Sequence, residues 1–232
     1  MIVSFEHNFI FLKTTKTAGT SFEIALSKYL NSDDIITPIS EENKRQELNY
    51  RGAQNYYYPD GLFQKLGILK PRQKFFNHMT AEEVKKTLGS DAFDKFIKVS
   101  IIRNPFDYVV SRYFWRFRDV INTTSKYHFQ NWLLTIEKEK LLQNKSITHI
   151  GGRNVVDIML RFEHFEADIN SFAERLGLPN SLAAEFKSIT AKSQIRPKKA
   201  TAQEMFDGFS EGIDLVKRLF QEDIENYGYK IS

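Results

Sequence analysis

A short polar turn, "TKTAGTS" at Thr15–Ser21, interrupts an apolar run and opens a helical one, and its residue types suit an anion. Lys16 brings a mobile positive charge, Gly19 lets the backbone come close to a ligand, and Thr17, Thr20 and Ser21 carry hydroxyls. Where a strand gives way to a helix, several backbone N–H groups lack partners and the helix dipole adds partial positive charge. The stretch from Ala18 to Ser21 would therefore present amides to a phosphate or sulfate. The ordinary phosphate loop, GxxxxGK[ST], sets its lysine after the second glycine. Here Lys16 precedes Gly19 and no GK[ST] occurs, which argues against an ATPase or a kinase. Taken alone, the turn also reads as a helix start with a solvated lysine.

A second group lies in "SIIRNPFDYVVSRYFW". Arg103 ends an apolar run at the carboxyl end of an expected strand, where open α/β sheets bind ligands. Ser111 follows eight residues later, about two helical turns on. A guanidinium there can grip a phosphate through two hydrogen bonds, with a hydroxyl adding a third. The plainer alternative pairs Arg103 with Asp107 and leaves Ser111 to pack. His78, in "KFFNHMTAEEV", offers an imidazole able to take a hydroxyl proton near neutral pH. A histidine before a helix start also suits capping or packing. His7, His128, His149 and His164 lack a comparable setting and read as structural or exposed.

The elements that would position these groups follow from periodicity. Phe9–Leu12 reads as a strand, with Ile2–Phe5 as its neighbour, and Phe22, Ala25, Leu26, Tyr29 and Leu30 share one helical face. Residues 31–71 are polar and turn-rich, read as loop with some short helix and expected near the acceptor site. Thr80, Glu83 and Gly89 bracket a short helix as N-cap, capping-box partner and C-cap. "FIKVSII" is the clearest strand, and Pro105 suits the first turn of the helix after it. Further helices are expected over Phe129–Leu142, Asp168–Leu176 and Gly212–Tyr227. Strands alternating with helices predict an α/β fold, a parallel β-sheet flanked by helices, in a single domain spanning 1–232.

Composition sets the outer bounds. The 232 residues can bury a real core, and the net charge of +4 is too small to argue for nucleic acid. The absence of cysteine removes disulfides, thiolate zinc sites and cysteine nucleophiles, and it suits a reducing cytosol. Glu6, His7 and Asn8 interrupt the first apolar residues, so no signal peptide is expected, and no run approaches a membrane span. A soluble, cytoplasmic protein with no metal is the expectation, since no aspartate-rich metal site is convincing.

The turn and the Arg103–Ser111 spacing together resemble the sulfotransferases that use 3′-phosphoadenosine 5′-phosphosulfate (PAPS). Those enzymes carry a "PKTGGTS"-like turn for the 5′-phosphosulfate, and an arginine followed eight residues later by a serine for the 3′-phosphate. "RFEHFEADINSFAERLGLP" and "LFQEDIENYGY" resemble later segments of the same family, so the likeness runs nearly end to end. It is closest to the branch that includes carbohydrate and heparan sulfate O-sulfotransferases. Ala18 stands where glycine is more frequent, and Thr15 where proline is common.

The resemblance implies a P-loop nucleotide-hydrolase-like architecture and PAPS as co-substrate. It assigns PAPS contacts to Lys16, Thr17, Ala18, Gly19, Thr20, Ser21, Arg103 and Ser111, and to Arg196 in a late basic loop beside Lys198 and Lys199 that reads equally as a solvated basic turn. It makes Lys16 the group that follows charge onto the leaving phosphate and His78 the base for an acceptor hydroxyl, the acceptor being a glycan. Tyr56–Tyr58 either stack on an acceptor sugar or pack the 31–71 segment onto the core. Arg112, Arg116 and Arg118 read as a solvated helix face that could also attract an acidic acceptor. The competing functions are a P-loop-type phosphotransferase and a non-catalytic binder of anionic nucleotides or glycans.

Overall fold

The computed structural model describes residues 1–58, 72–123, 125–189 and 195–231. The chain forms two compact units: Met1–Ile101 with Lys145–Ala191, and Ile102–Asn144 with Lys192–Ser232.

The first unit is built on a sheet. Strands β1 (Ile2–Ser4), β2 (Phe9–Leu12), β3 (Ile35–Ile36), β4 (Ile97–Ile102) and β7 (Ile158–Arg161) line up in the order β3-β1-β2-β4-β7. β1 runs antiparallel to β2 and β3, whereas β2 and β4 are parallel, with Leu12 opposite Ser100. The sheet is therefore mixed, not parallel as the alternation of elements predicts. The reason is local: only Phe5–Asn8 joins β1 to β2, with Asn8 at φ 52°, and so short a link permits only a hairpin. β2 and β4 are separated by enough chain for a crossover. A small hairpin, β5 (His149–Ile150) with β6 (Arg153–Asn154), turns through Gly151 and Gly152, both at positive φ.

The helix Gly19–Ser27 follows β2, and every residue in it except Thr20 is buried. Phe22 meets Phe11 edge-to-face at 5.1 Å and Phe172 at 5.7 Å, tying it to β2 and to the helix Phe165–Leu176. Gly177 closes that last helix in the left-handed conformation at φ 65°. The expected capping box is formed: Thr80 and Glu83 satisfy each other's backbone amides at the start of the helix Ala81–Leu88. The segment 31–58 contributes more than loop. It gives edge strand β3 and the helix Glu42–Glu47, and Ile36 pairs with Gln54; the remainder of 31–71, residues 59–71, lies outside the described residues.

The second unit is helical. Asn104 caps the helix Pro105–Arg116, with Pro105 in the first turn as expected. Phe106, Val109, Tyr113, Phe129, Leu133, Met205, Phe206 and Val216 form its core, drawn from Pro105–Arg116, Lys126–Thr135, Ala202–Phe206 and Ser210–Leu219. Two expected long helices are broken. Ile136, at ψ 140°, ends the one begun at Lys126, and Phe220, at φ −118°, separates Ser210–Leu219 from Gln221–Tyr227.

Candidate active site

The turn after β2 is held from beneath. The Thr14 hydroxyl donates to the carbonyl of Ile101 at 2.6 Å, so the Thr17 hydroxyl donates to Thr14 Oγ1 at 2.8 Å. These bonds tie the turn to the end of β4, and they commit the Thr17 hydroxyl to structure. Lys16 and Ala18 both lie in the left-handed region, at φ 61° and 59°, reversing the chain tightly at the cost of local strain. The N-cap residue Ala18 gives no side-chain bond to the helix that starts at Gly19, and the amides of Gly19, Thr20 and Ser21, in its first turn, have no intrahelical acceptor. Gly19 is needed for a packing reason too. A Cβ there would lie 2.9 Å from Cγ of Lys13, beneath the turn.

Lys13 and Glu23 are contributors that the sequence does not single out. Lys13 is 2 % exposed and its ammonium pairs with Glu23, which is fully buried and also accepts from the Met1 amino group. Burial opposes ionisation of Glu23, but the charge of Lys13, followed by that of the Met1 amino group, outweighs it and holds the carboxyl at about 2. The available signal was a glutamate between Phe22 and Ile24, the one charged residue of the helix Gly19–Ser27.

His78 belongs to the same unit as this turn. Its Nδ1 lies 2.9 Å from the carbonyl oxygen of Lys13. A carbonyl only accepts, so Nδ1 carries the proton and Nε2 of the neutral ring keeps its lone pair. Burial, with Lys13 and the Met1 amino group adding to it, lowers the imidazole from 6.5 to about 4. His78 also has positive φ, 60°, which costs a β-substituted residue energy and marks a conformation imposed by its surroundings. Three of the other four histidines have structural bonds, His7 to the Leu176 carbonyl, His128 to the Tyr113 hydroxyl and His149 to the Thr148 hydroxyl, and His164 is exposed.

The remaining predicted residues lie in the helical unit. Arg103, which follows β4 in the chain, donates from Nε to Asp107 Oδ2 at 2.6 Å. Arg196 pairs through Nη1 with the other oxygen of the same carboxylate and donates from Nε to the Ala200 carbonyl at 2.6 Å. The structure thus brings Arg103 and the late-loop Arg196 together at Asp107. Ser111 is half-buried one helical turn beyond Asp107. Burial opposes ionisation of Asp107, while Arg103 and then Arg196 keep its carboxyl below the usual range. Two guanidiniums against one carboxylate leave this cluster net positive. Lys198 and Lys199 are exposed.

Tyr56 and Tyr57 lie against each other with ring centres 4.3 Å apart and planes tilted by 37°. Tyr56 packs on the core, and Tyr57 and Tyr58 are exposed, Tyr58 under the Arg72 guanidinium. Arg112 lies over the Tyr108 ring and Arg118 over Trp115. Among the described residues, no group of three or more His, Cys, Asp or Glu could hold a metal ion, and no helix is long and apolar enough to cross a membrane.

A turn of this construction beside a neutral imidazole can bind an anionic group and accept a proton. A family model described as "Sulfotransferase family" matches residues 1–230, and the chain belongs to that family. Comparison with curated proteins finds no match, and comparison with solved structures finds none. Membership makes the chain a transferase of the sulfuryl-transfer class.

Proposed function

We propose that the chain transfers a sulfuryl group from PAPS to an acceptor hydroxyl, on a carbohydrate, working as one P-loop-like catalytic domain over 1–232. The observation that carries this reading is the bond from His78 Nδ1–H to the Lys13 carbonyl, which in the neutral ring leaves the lone pair on Nε2, in the same unit as the Lys16 turn. The fit to the donor rests on chemistry already present. The helix start at Gly19 has no side-chain cap, and the Arg103–Asp107–Arg196 cluster carries excess positive charge.

The amides of Gly19, Thr20 and Ser21 receive the 5′-phosphosulfate, and Arg103, Ser111 and Arg196 receive the 3′-phosphate. The donor, once bound, supplies the sulfuryl group. Nε2 of His78 takes the proton of the acceptor hydroxyl as its oxygen bonds to sulfur. Lys16 offsets the negative charge left on the departing phosphate oxygen as the sulfur–oxygen bridge breaks. No metal is required, because a transferring sulfuryl group carries less charge than a phosphoryl group. Acceptor selection is assigned to the 31–71 segment, where the partly exposed rings of Tyr57 and Tyr58 would suit a sugar. The cysteine-free chain suits a cytoplasmic setting.

The test is transfer of label from sulfur-labelled donor to a panel of polysaccharide, oligosaccharide, lipid and phenolic hydroxyls, without divalent metal. Label should pass to a glycan, and His78→Gln should lose about 10²- to 10⁴-fold in kcat. Transfer that needs Mg²⁺ and ATP would instead support the phosphotransferase, and no transfer beside tight nucleotide binding would support the non-catalytic binder.

A further inference from the structure

We infer that Asp107 is a positioning residue for nucleotide selection: its carboxylate aligns Arg103 and Arg196 into one receptor for the 3′-phosphate without touching the nucleotide. This rests on the assignment of that phosphate made above. Each guanidinium takes a different oxygen, Arg103 on Oδ2 and Arg196 on Oδ1, so one planar group sets the separation and angle of both. Without it, two positive charges would be left at short range, and the loop carrying Arg196 would lose its side-chain tie to the helix Pro105–Arg116.

The loop is otherwise anchored next to that contact. Ala200 takes the Arg196 Nε–H, its own amide bonds the Pro197 carbonyl, and it packs in the core with Ala202 and Phe206. Thr201 then caps the helix Ala202–Phe206. Asp107 therefore has one partner just before its own helix and another in a segment 89 residues away in sequence. Arg103, Asp107 and Arg196 are all largely shielded, at 13, 21 and 22 % side-chain exposure, so these contacts are better protected from screening than surface pairs.

Charge and positioning predict opposite signs here, which makes the idea decidable. Asp107 is an anion near the site of another anion. If its charge were all that mattered, removing it would tighten nucleotide binding. If it acts by preorganising two arginines, removing it weakens binding, and only for nucleotides that carry a 3′-phosphate.

The experiment is calorimetric titration of 3′-phosphoadenosine 5′-phosphate and of adenosine 5′-phosphate into wild type, Asp107→Asn, Asp107→Glu, Arg196→Gln and the Asp107→Asn/Arg196→Gln double variant. Asp107→Asn should weaken the bisphosphate about tenfold or more while leaving the monophosphate within about twofold. Asp107→Glu should recover part of the loss. The Asp107→Asn effect should shrink in the Arg196→Gln background, because the two act as a unit. Unchanged or tighter bisphosphate binding in Asp107→Asn, or equal weakening of both ligands, would overturn the inference. Arg196→Gln alone keeps the test open should Asp107→Asn not fold, and undiminished selectivity in it would also overturn the inference. A wild type that does not distinguish the two ligands would refute the 3′-phosphate assignment itself, and this inference with it.

Discussion

At the scale of single residues, His78 makes the sharpest claims. With its imidazole lowered to about 4, the ring stays neutral through the physiological range, so the acid limb of kcat/KM should fall near pH 4 and not near 6.5. A limb at 6.5 in the free enzyme would contradict the buried, Lys13-bonded ring. Stability follows the same titration. Because the folded value lies below the unfolded one, the unfolded chain binds the proton first. Stability from this group is present above pH 6.5 and is lost as pH falls towards 4. The component is on the order of 3 kcal/mol, and urea melts of His78→Gln should show a shallower decline over that window than wild type. Ala18 makes a quieter prediction. It holds φ 59° at a position where glycine is at no steric disadvantage, so Ala18→Gly should leave stability within about 1 kcal/mol or raise it. Lys16, Gly19, His78 and Arg103 are proposed as site residues from residue type and spacing. The sequence did not display the Lys13–Glu23 pair, because burial of a lysine depends on where a strand end and a helix meet. Nor did it show that the Thr17 hydroxyl is already engaged with Thr14.

At the scale of elements, local signals were reliable where the chemistry is local. The Thr80–Glu83 box, Pro105 at a helix start and Gly177 at a helix end each follow from contacts within a few residues. Thr80→Ala should accordingly cost about 1 kcal/mol, read as a lower midpoint in thermal or urea melts, with nucleotide affinity intact. Where longer-range packing decides, sequence reading fell short. Periodicity could not tell that β1 turns back against β2, nor that Ile35–Ile36 and Ile158–Arg161 join the sheet, since two to four apolar residues carry little pattern. Continuous apolar spacing likewise concealed the breaks at Ile136 and Phe220, both of which belong to the helical core of the second unit or pack against it.

At the scale of the whole molecule, the two units carry different parts of the predicted machinery. The sheet unit has the Lys16 turn and His78, and the helical unit has Arg103, Ser111 and Arg196. That division yields separable phenotypes. Lys16→Ala should reduce turnover by about 10²- to 10³-fold, mainly in kcat, whereas Arg103→Ala should act on nucleotide affinity. The family match over residues 1–230 runs through both units, and the motifs that carry the likeness are dispersed along the chain in the same way. The central claim is that this chain binds an adenosine bisphosphate without metal. Titration of 3′-phosphoadenosine 5′-phosphate in EDTA, beside ATP with and without Mg²⁺, tests it most directly. The account predicts metal-independent binding of the bisphosphate, lost in Arg103→Ala, and weak binding of ATP in either condition. Binding of Mg²⁺-ATP alone, or bisphosphate affinity unchanged in Arg103→Ala, would contradict it.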